Sequence, residues 1–255
     1  MNDEELSRYS RHLLLPEFDY VGQEKLKQST VLIVGLGGLG SPASMYLAAA
    51  GVGKLLLNDF DRVDLGNLQR QIVHGTADVG RPKVESAAET LNELNPLVRV
   101  ETFDEKLDDR ELEHLVRRAD VVIDASDNFA TRHALNRASV AARKPLVSGA
   151  AIRFEGQLTV FDPGSPFSPC YRCLYDDSPE TAESCSRSGV FSPIVGMIAS
   201  AQAGEAIKLL TGIGKPLVGR LWRIDGKDLT QKTSRLQRDP RCPVCAHQSH
   251  LPRQA

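Results

Sequence analysis

From Thr30 onward the hydrophobic positions come in short unbroken runs, separated by longer stretches with a different periodicity. Val31-Leu32-Ile33-Val34, Leu55-Leu56-Leu57 and Val121-Val122-Ile123 lack the alternation of a half-exposed strand. Strands that are apolar on both sides belong to parallel sheets with helices on both faces. Between these runs the spacing predicts helices over Pro42 to Ala50, Lys83 to Leu94 and Asp109 to Arg118, and one starting near Phe129. Strands are expected at Val31–Val34, Lys54–Asn58, Val98–Phe103, Asp120–Ala125 and Lys144–Ser148. Strands alternating with helices make a Rossmann-like, mostly parallel α/β sheet.

The two ends of the chain read differently. Glu4 to Ser29 has helical spacing interrupted at Pro16. After Gly149 the segment AAIRFEGQLTVFDPGSP alternates as antiparallel strands do, with a join expected near Glu155-Gly156. A helix from Pro193 to Leu210 and strands at Leu217–Ile224 and Leu229–Thr233 complete the pattern. The expectation is one domain over 1–255. It comprises a helical arm (1–29), a nucleotide-binding core (30–149) and an antiparallel C-terminal part (150–255).

Composition alters this picture little. A formal net charge of −2, with 41% hydrophobic and 25% charged residues, is ordinary for a soluble globular chain. It gives no electrostatic case for nucleic acid or an anionic membrane as partner. Gln202, Glu205 and Lys208 interrupt the most apolar late segment, so it does not read as a membrane span. No basic stretch followed by an apolar run opens the chain, and a cytoplasmic location is expected.

Candidate chemistry starts at the first strand. Gly35, Gly37 and Gly40 follow it at GxGxxG spacing and lead into a helix of small residues. In that context the glycines permit a tight turn, close approach of backbone to phosphate, and close helix packing. The same spacing also occurs in a βα turn with no ligand. Asp59, directly after the second strand, stands where an acidic residue holds ribose hydroxyls. Up to this point an NAD site and an ATP site fit equally. Beyond it lie Asn67, Arg70 and Lys83, cationic and amide groups that a triphosphate uses more than a dinucleotide does. Together they favour ATP. Asp127, after the fourth predicted strand, is placed either to meet Mg²⁺ on the phosphates or to cap the next helix, a task Asn128 can also perform. Arg8 and Arg11 read as a solvated helix face or as an arginine offered to phosphate across a subunit boundary. Asn58 is out of place beside Asp59, where an acidic or apolar residue is expected.

Four of the five cysteines form two CxxC pairs, Cys170/Cys173 and Cys242/Cys245. In a chain without an export signal this pattern points to a structural Zn²⁺ in a closed four-thiolate shell. The alternative is four reduced thiols. Cys185 is left over, beside Arg187. It is either a thiol activated by that cation or an inert small residue.

The motifs GLGGLG, LNDFDRVDLGNLQRQ, GRPKVESA, DASDN and SGAAIRFEGQ and the two CxxC pairs occur in one order over almost the whole chain, Arg8 to Cys245. In this it resembles the HesA/MoeB/ThiF family of E1-like adenylyltransferases, the molybdopterin-synthase (MoeB-like) branch first and the thiamine (ThiF-like) branch second. The resemblance implies adenylation, with ATP and Mg²⁺, of the C-terminal Gly-Gly carboxylate of a small ubiquitin-like sulfur-carrier protein. A sulfur donor protein then makes the thiocarboxylate. It implies that Gly38 and its neighbours hold phosphates, Asp59 the ribose, Asn67, Arg70 and Lys83 the triphosphate, and Asp127 the magnesium. It further implies that Arg11 serves the partner subunit of a homodimer, that residues 150–255 receive the carrier, and that Cys185 lies near the carrier's tail, where it takes part in sulfur transfer in some relatives. An NAD-dependent oxidoreductase would leave Arg11, Arg70, Lys83 and Asp127 without a shared task. A non-catalytic scaffold would bind the carrier without turning over nucleotide.

Overall fold

In the computed structural model, which describes residues 1–176 and 188–246, the apolar runs become the centre of an eight-stranded sheet. Its strands are β1 (Thr30–Val34), β2 (Lys54–Asn58), β3 (Arg99–Phe103), β4 (Val121–Asp124), β5 (Leu146–Ile152), β6 (Glu155–Phe161), β7 (Arg220–Asp225) and β8 (Gln231–Arg235). They lie in the order β3-β2-β1-β4-β5-β6-β7-β8. Pairing is parallel from β3 to β5 and antiparallel from β5 to β8. The helices are α1 (Asp3–Arg8), α2 (Ser10–Leu13), α3 (Asp19–Gln28), α4 (Gly40–Ala50), α5 (Lys83–Leu94), α6 (Asp109–Arg118), α7 (Phe129–Ala142), α8 (Tyr171–Leu174) and α9 (Ser192–Thr211).

Both faces of the parallel half are covered, which is why its strands are apolar throughout. Val31 and Ile33 face a core shared with α4, α5 and α9, whereas Leu32 and Val34 face α6 and α7. Helix ends follow local chemistry. Asp108 and Glu111 form a reciprocal capping box on α6, and Gly51 and Gly212 end α4 and α9 in the left-handed conformation.

Three expectations are adjusted. The N-terminal arm is broken at Tyr9 as well as before α3, because the Tyr9 ring is buried against Gly51. The fifth parallel strand and the first antiparallel one are a single strand, β5, which pairs with β4 through Leu146–Ser148 and with β6 along its whole length. The hairpin turns at Arg153 and Phe154, with Arg153 at φ 53°, so Glu155 and Gly156 begin β6 instead of forming the turn. Asn58 also finds its explanation. Its amide donates to the Phe103 and Glu105 carbonyls, tying the chain beyond β3 to the end of β2.

Candidate active site

The chain turns sharply at the end of β1. Gly35 has φ +91°, and a Cβ there would lie 2.8 Å from the Ala125 carbonyl oxygen. A side chain on Gly40 would collide with the Gly35 carbonyl. The first and third glycines are therefore required by the turn and its packing. Gly38 is required by tertiary contacts: its Cβ would meet Val195 of α9 at 2.7 Å and the Arg70 stem at 3.3 Å. At Gly37 a Cβ would meet only ordinary contact, so the bare backbone there is open to an approaching group. No side chain caps the start of α4, and its free N–H groups and positive dipole end face this turn.

Acidic and basic groups gather at the adjoining strand ends. Asp59 is buried, its Oδ2 accepting from the Leu36 N–H at 2.6 Å and its Oδ1 from the Asp61 N–H at 2.9 Å. The carboxylate thus fastens the glycine turn to β2. Lys83, the first residue of α5, is also buried. Its Nζ lies 2.9 Å from Asp61 Oδ2 and 3.9 Å from Asp59 Oδ2. Arg70 Nη2 donates to Asn67 Oδ1 at 2.8 Å, and the Arg70 stem lies against Gly38. Gly35, Gly37, Gly38, Gly40, Asp59, Asn67, Arg70 and Lys83 are therefore brought to one end of the sheet. Beneath them, His74 bridges Ser86 Oγ (2.8 Å) and the Leu36 carbonyl (3.3 Å). Burial holds its pKa below the ordinary histidine value and keeps the ring neutral.

Asp127 stands two residues beyond Ala125, whose carbonyl touches the glycine turn. Its carboxylate is exposed, with Asn128 Nδ2 at 3.4 Å. Asn128 caps α7, accepting from the Thr131 N–H at 2.9 Å, which leaves Asp127 unoccupied by that task. Sequence reasoning missed the support behind this loop. Asp124, fully buried at the end of β4, accepts from Ser126 Oγ (2.7 Å) and Ser148 Oγ (2.8 Å). Arg132 Nη2 donates to the Ser126 carbonyl at 2.7 Å and reaches the Gly149 carbonyl at 3.4 Å. Gln202 of α9 donates to the Asp124 carbonyl at 2.8 Å. The only signal for this cluster in the sequence is an aspartate ending the apolar run of β4.

Arg11 is not brought to this site. The arm that carries it packs through Tyr9 against Gly51 and Asn95, at the opposite end of α4. That helix has 11 residues, a length of about 16 Å. Arg11 is exposed and makes no ion pair among the described residues.

The four paired cysteines do converge. Their sulfur atoms all lie within 4.8 Å of one another, with Cys170–Cys242 and Cys173–Cys245 at 3.6 Å and Cys170–Cys173 at 3.9 Å. Tetrahedral Zn–S bonds of about 2.3 Å set sulfur atoms about 3.8 Å apart, so the residues fit that ion. Asn136 of α7 donates to Cys170 Sγ at 3.6 Å and accepts from the Tyr171 N–H at 2.9 Å, an outer-shell contact of the kind that orients metal ligands. Hydrogen bonds from the Cys170 thiol and from backbone N–H groups lower Cys173 to about 5, while burial raises Cys245 to about 11. The cluster therefore already holds a thiolate suited to a soft cation. Cys185 lies outside the described residues.

A Rossmann-like sheet with a phosphate-type glycine turn, a cationic strand-end cluster and a four-thiolate centre defines a class of protein. The chain belongs to the ThiF family, whose model matches residues 9–244. It is 51% identical over 245 residues to the molybdopterin-synthase adenylyltransferase of Escherichia coli K12, covering 96% of this chain and 98% of that one. It is 47% identical over 246 residues to the sulfur carrier protein ThiS adenylyltransferase of the same organism, covering 96% and 97%. Among solved structures, E. coli MccB with ATP superposes with a TM-score of 0.83 at 26% identity, over 96% of this chain and 75% of that one. No helix among the described residues is long and apolar enough to cross a membrane.

Proposed function

We propose that this protein adenylates the C-terminal Gly-Gly carboxylate of a small ubiquitin-like sulfur carrier of the molybdopterin-synthase (MoaD-like) type, ahead of thiocarboxylate formation in molybdenum cofactor biosynthesis. The observation that carries the reading is the gathering of Asn67, Arg70 and Lys83 beside an uncapped glycine turn, more cationic provision than a dinucleotide's pyrophosphate uses. The name of the relative at 51% identity supports the choice of carrier.

In this reading the backbone of Gly37 and Gly38 and the start of α4 receive the phosphates of ATP, and Asp59 holds the ribose. Arg70 and Lys83 stabilise negative charge as the carrier's carboxylate oxygen attacks the α-phosphorus and pyrophosphate leaves. Mg²⁺, when bound with ATP, supplies further neutralisation of phosphate charge, and the exposed carboxylate of Asp127 is the group that would hold it. The remaining work is alignment and electrostatic stabilisation, which suits a site with no general base. Arg11 is too far from its own site to take part, and serves the site of a twofold-related partner.

The carrier's tail has a lane to follow. Ala150, Gln157, Arg223 and Lys232 are consecutive cross-strand partners on β5 to β8 and line a cavity of about 450 Å³ on the open sheet face. Ala150 adjoins Gly149, which Arg132 links to the Asp127 loop. Cys185 stands in this reading as the thiol available to sulfur transfer from a donor protein after adenylation.

ATP–pyrophosphate exchange with purified protein tests the proposal, with molybdopterin-type and thiamine-type Gly-Gly carriers in parallel. Exchange that requires the first carrier, and stops when its terminal glycine is deleted, is the expected result. Exchange only with the second moves the assignment to thiamine biosynthesis, which the 47% identical relative makes the alternative. ATP binding without exchange would leave a carrier-binding scaffold. NADH binding without ATP binding would point to an oxidoreductase.

A further inference from the structure

Gln71 follows Arg70 and is 96% withdrawn from solvent, with a relative exposure of 4%. Its Oε1 is buried and accepts no hydrogen bond, and among the described residues its Nε2 donates none. Buried amides are almost always paired, because an unpaired one loses its water contacts without replacement. The position of this one is informative. Nε2 lies 3.6 Å from where a Gly37 side chain would begin, and it is the only group that a Cβ there would meet. Gly37 is also the glycine of the turn that packing and backbone conformation leave unexplained. Arg70 and Gln71 thus flank Gly38 and Gly37 respectively, a cation beside one and a neutral amide beside the other.

We propose that Gln71 is a nucleotide-contacting residue whose Nε2–H donates to a phosphate oxygen received over the Gly37 backbone. The inference rests on ATP being the nucleotide of the proposed function. The fold makes no use of the carboxamide, so its retention at a buried position is accounted for by a ligand that supplies an acceptor. A phosphate oxygen is the acceptor that a glycine turn at a helix start receives. Because the amide is neutral, it adds direction to the phosphate site without adding to the charge of Arg70 and Lys83.

The test compares wild type with Gln71→Leu, Gln71→Glu and Gln71→Asn. It measures thermal stability without ligand and the binding of adenosine and of a non-hydrolysable ATP analogue. Gln71→Leu removes the unpaired amide at similar volume. We expect a melting temperature no lower than wild type, about tenfold weaker binding of the ATP analogue, and unchanged adenosine binding. Gln71→Glu sets a carboxylate against phosphate and should weaken the analogue by about a hundredfold, again sparing adenosine. Gln71→Asn withdraws the amide by one methylene and should give the same selective loss if either other variant fails to fold. The proposal is overturned if Gln71→Leu binds the analogue as wild type does. Equal loss of both ligands, or a melting temperature several degrees lower, would assign Gln71 a purely structural role and also overturn it. Wild type that binds no ATP analogue overturns the underlying nucleotide reading itself, an outcome separate from these.

Discussion

Asp127 and Asn128 are adjacent, similar in shape, and divided in task. Asn128 satisfies an N–H at the start of α7, while the Asp127 carboxylate stays exposed beside the glycine turn. Replacing an N-cap asparagine by alanine costs about 1 kcal/mol, which is about 2–4 °C for a chain of this size. Asn128→Ala should therefore lower the melting temperature by that amount. Asp127→Ala should leave it within about 1 °C, because no stabilising contact is lost. Its effect should fall on turnover, with carrier-dependent pyrophosphate exchange reduced by about a hundredfold or more. Wild-type exchange by Asp127→Ala would remove the magnesium assignment, and a large fall in its melting temperature would make it the true cap.

At the scale of elements, α7 joins the two chemical centres. Asn128, Arg132 and Asn136 are spaced four apart and so share one face of the helix. Asn128 caps it, Arg132 holds the Ser126 carbonyl beneath the Asp127 loop, and Asn136 reaches Cys170 and the Tyr171 N–H. The four cysteines come from two segments distant in sequence, so a zinc ion there would tie the chain after β8 to the loop before α8. Metal binding at such a site is folding free energy. One zinc per chain is expected by elemental analysis, and its removal by a strong chelator should lower the melting temperature by on the order of 10 °C. Asn136→Ala should keep the stoichiometry but weaken zinc affinity by about 10- to 100-fold in chelator competition. A chain that purifies without metal and melts unchanged in chelator would leave four reduced thiols.

The whole molecule bears on Arg11. The arm places this arginine a helix length from the site of its own chain, with no ion pair among the described residues. Within one chain it has no reacting group to meet, whereas a twofold axis can carry it to a second site. Complementation separates the two readings. Arg11→Ala and Asp127→Ala should each be inactive alone. Mixed, unfolded together and refolded, they should recover about a quarter of wild-type exchange, because half of the dimers then hold one intact site of two. No recovery from a folded mixture would count against an arginine acting across the subunit boundary.

Much of this architecture was legible in the residues themselves. Unbroken apolar runs read as strands covered on both faces because burial on both sides removes alternation, and β1, β2 and β4 lie where those runs are. The glycine turn and the paired cysteines were legible because local geometry dictates their spacing. The hairpin at Arg153 was misplaced by two residues because Glu155-Gly156 carries the stronger turn composition, while pairing with β7 draws both residues into a strand. What only the tertiary structure decided depends on residues remote in sequence. Val195 of α9 makes Gly38 necessary, and Ser148 with Arg132 surrounds the Asp124 carboxylate. The fold leaves the Gln71 amide without a partner beside Gly37, and it sets Arg11 at the far end of α4. Periodicity and spacing report on neighbours a few residues apart, so the sequence determined the elements and the chemistry they carry. Which side chains meet across those elements is settled by packing, and packing exists only once the sheet and its helices have assembled.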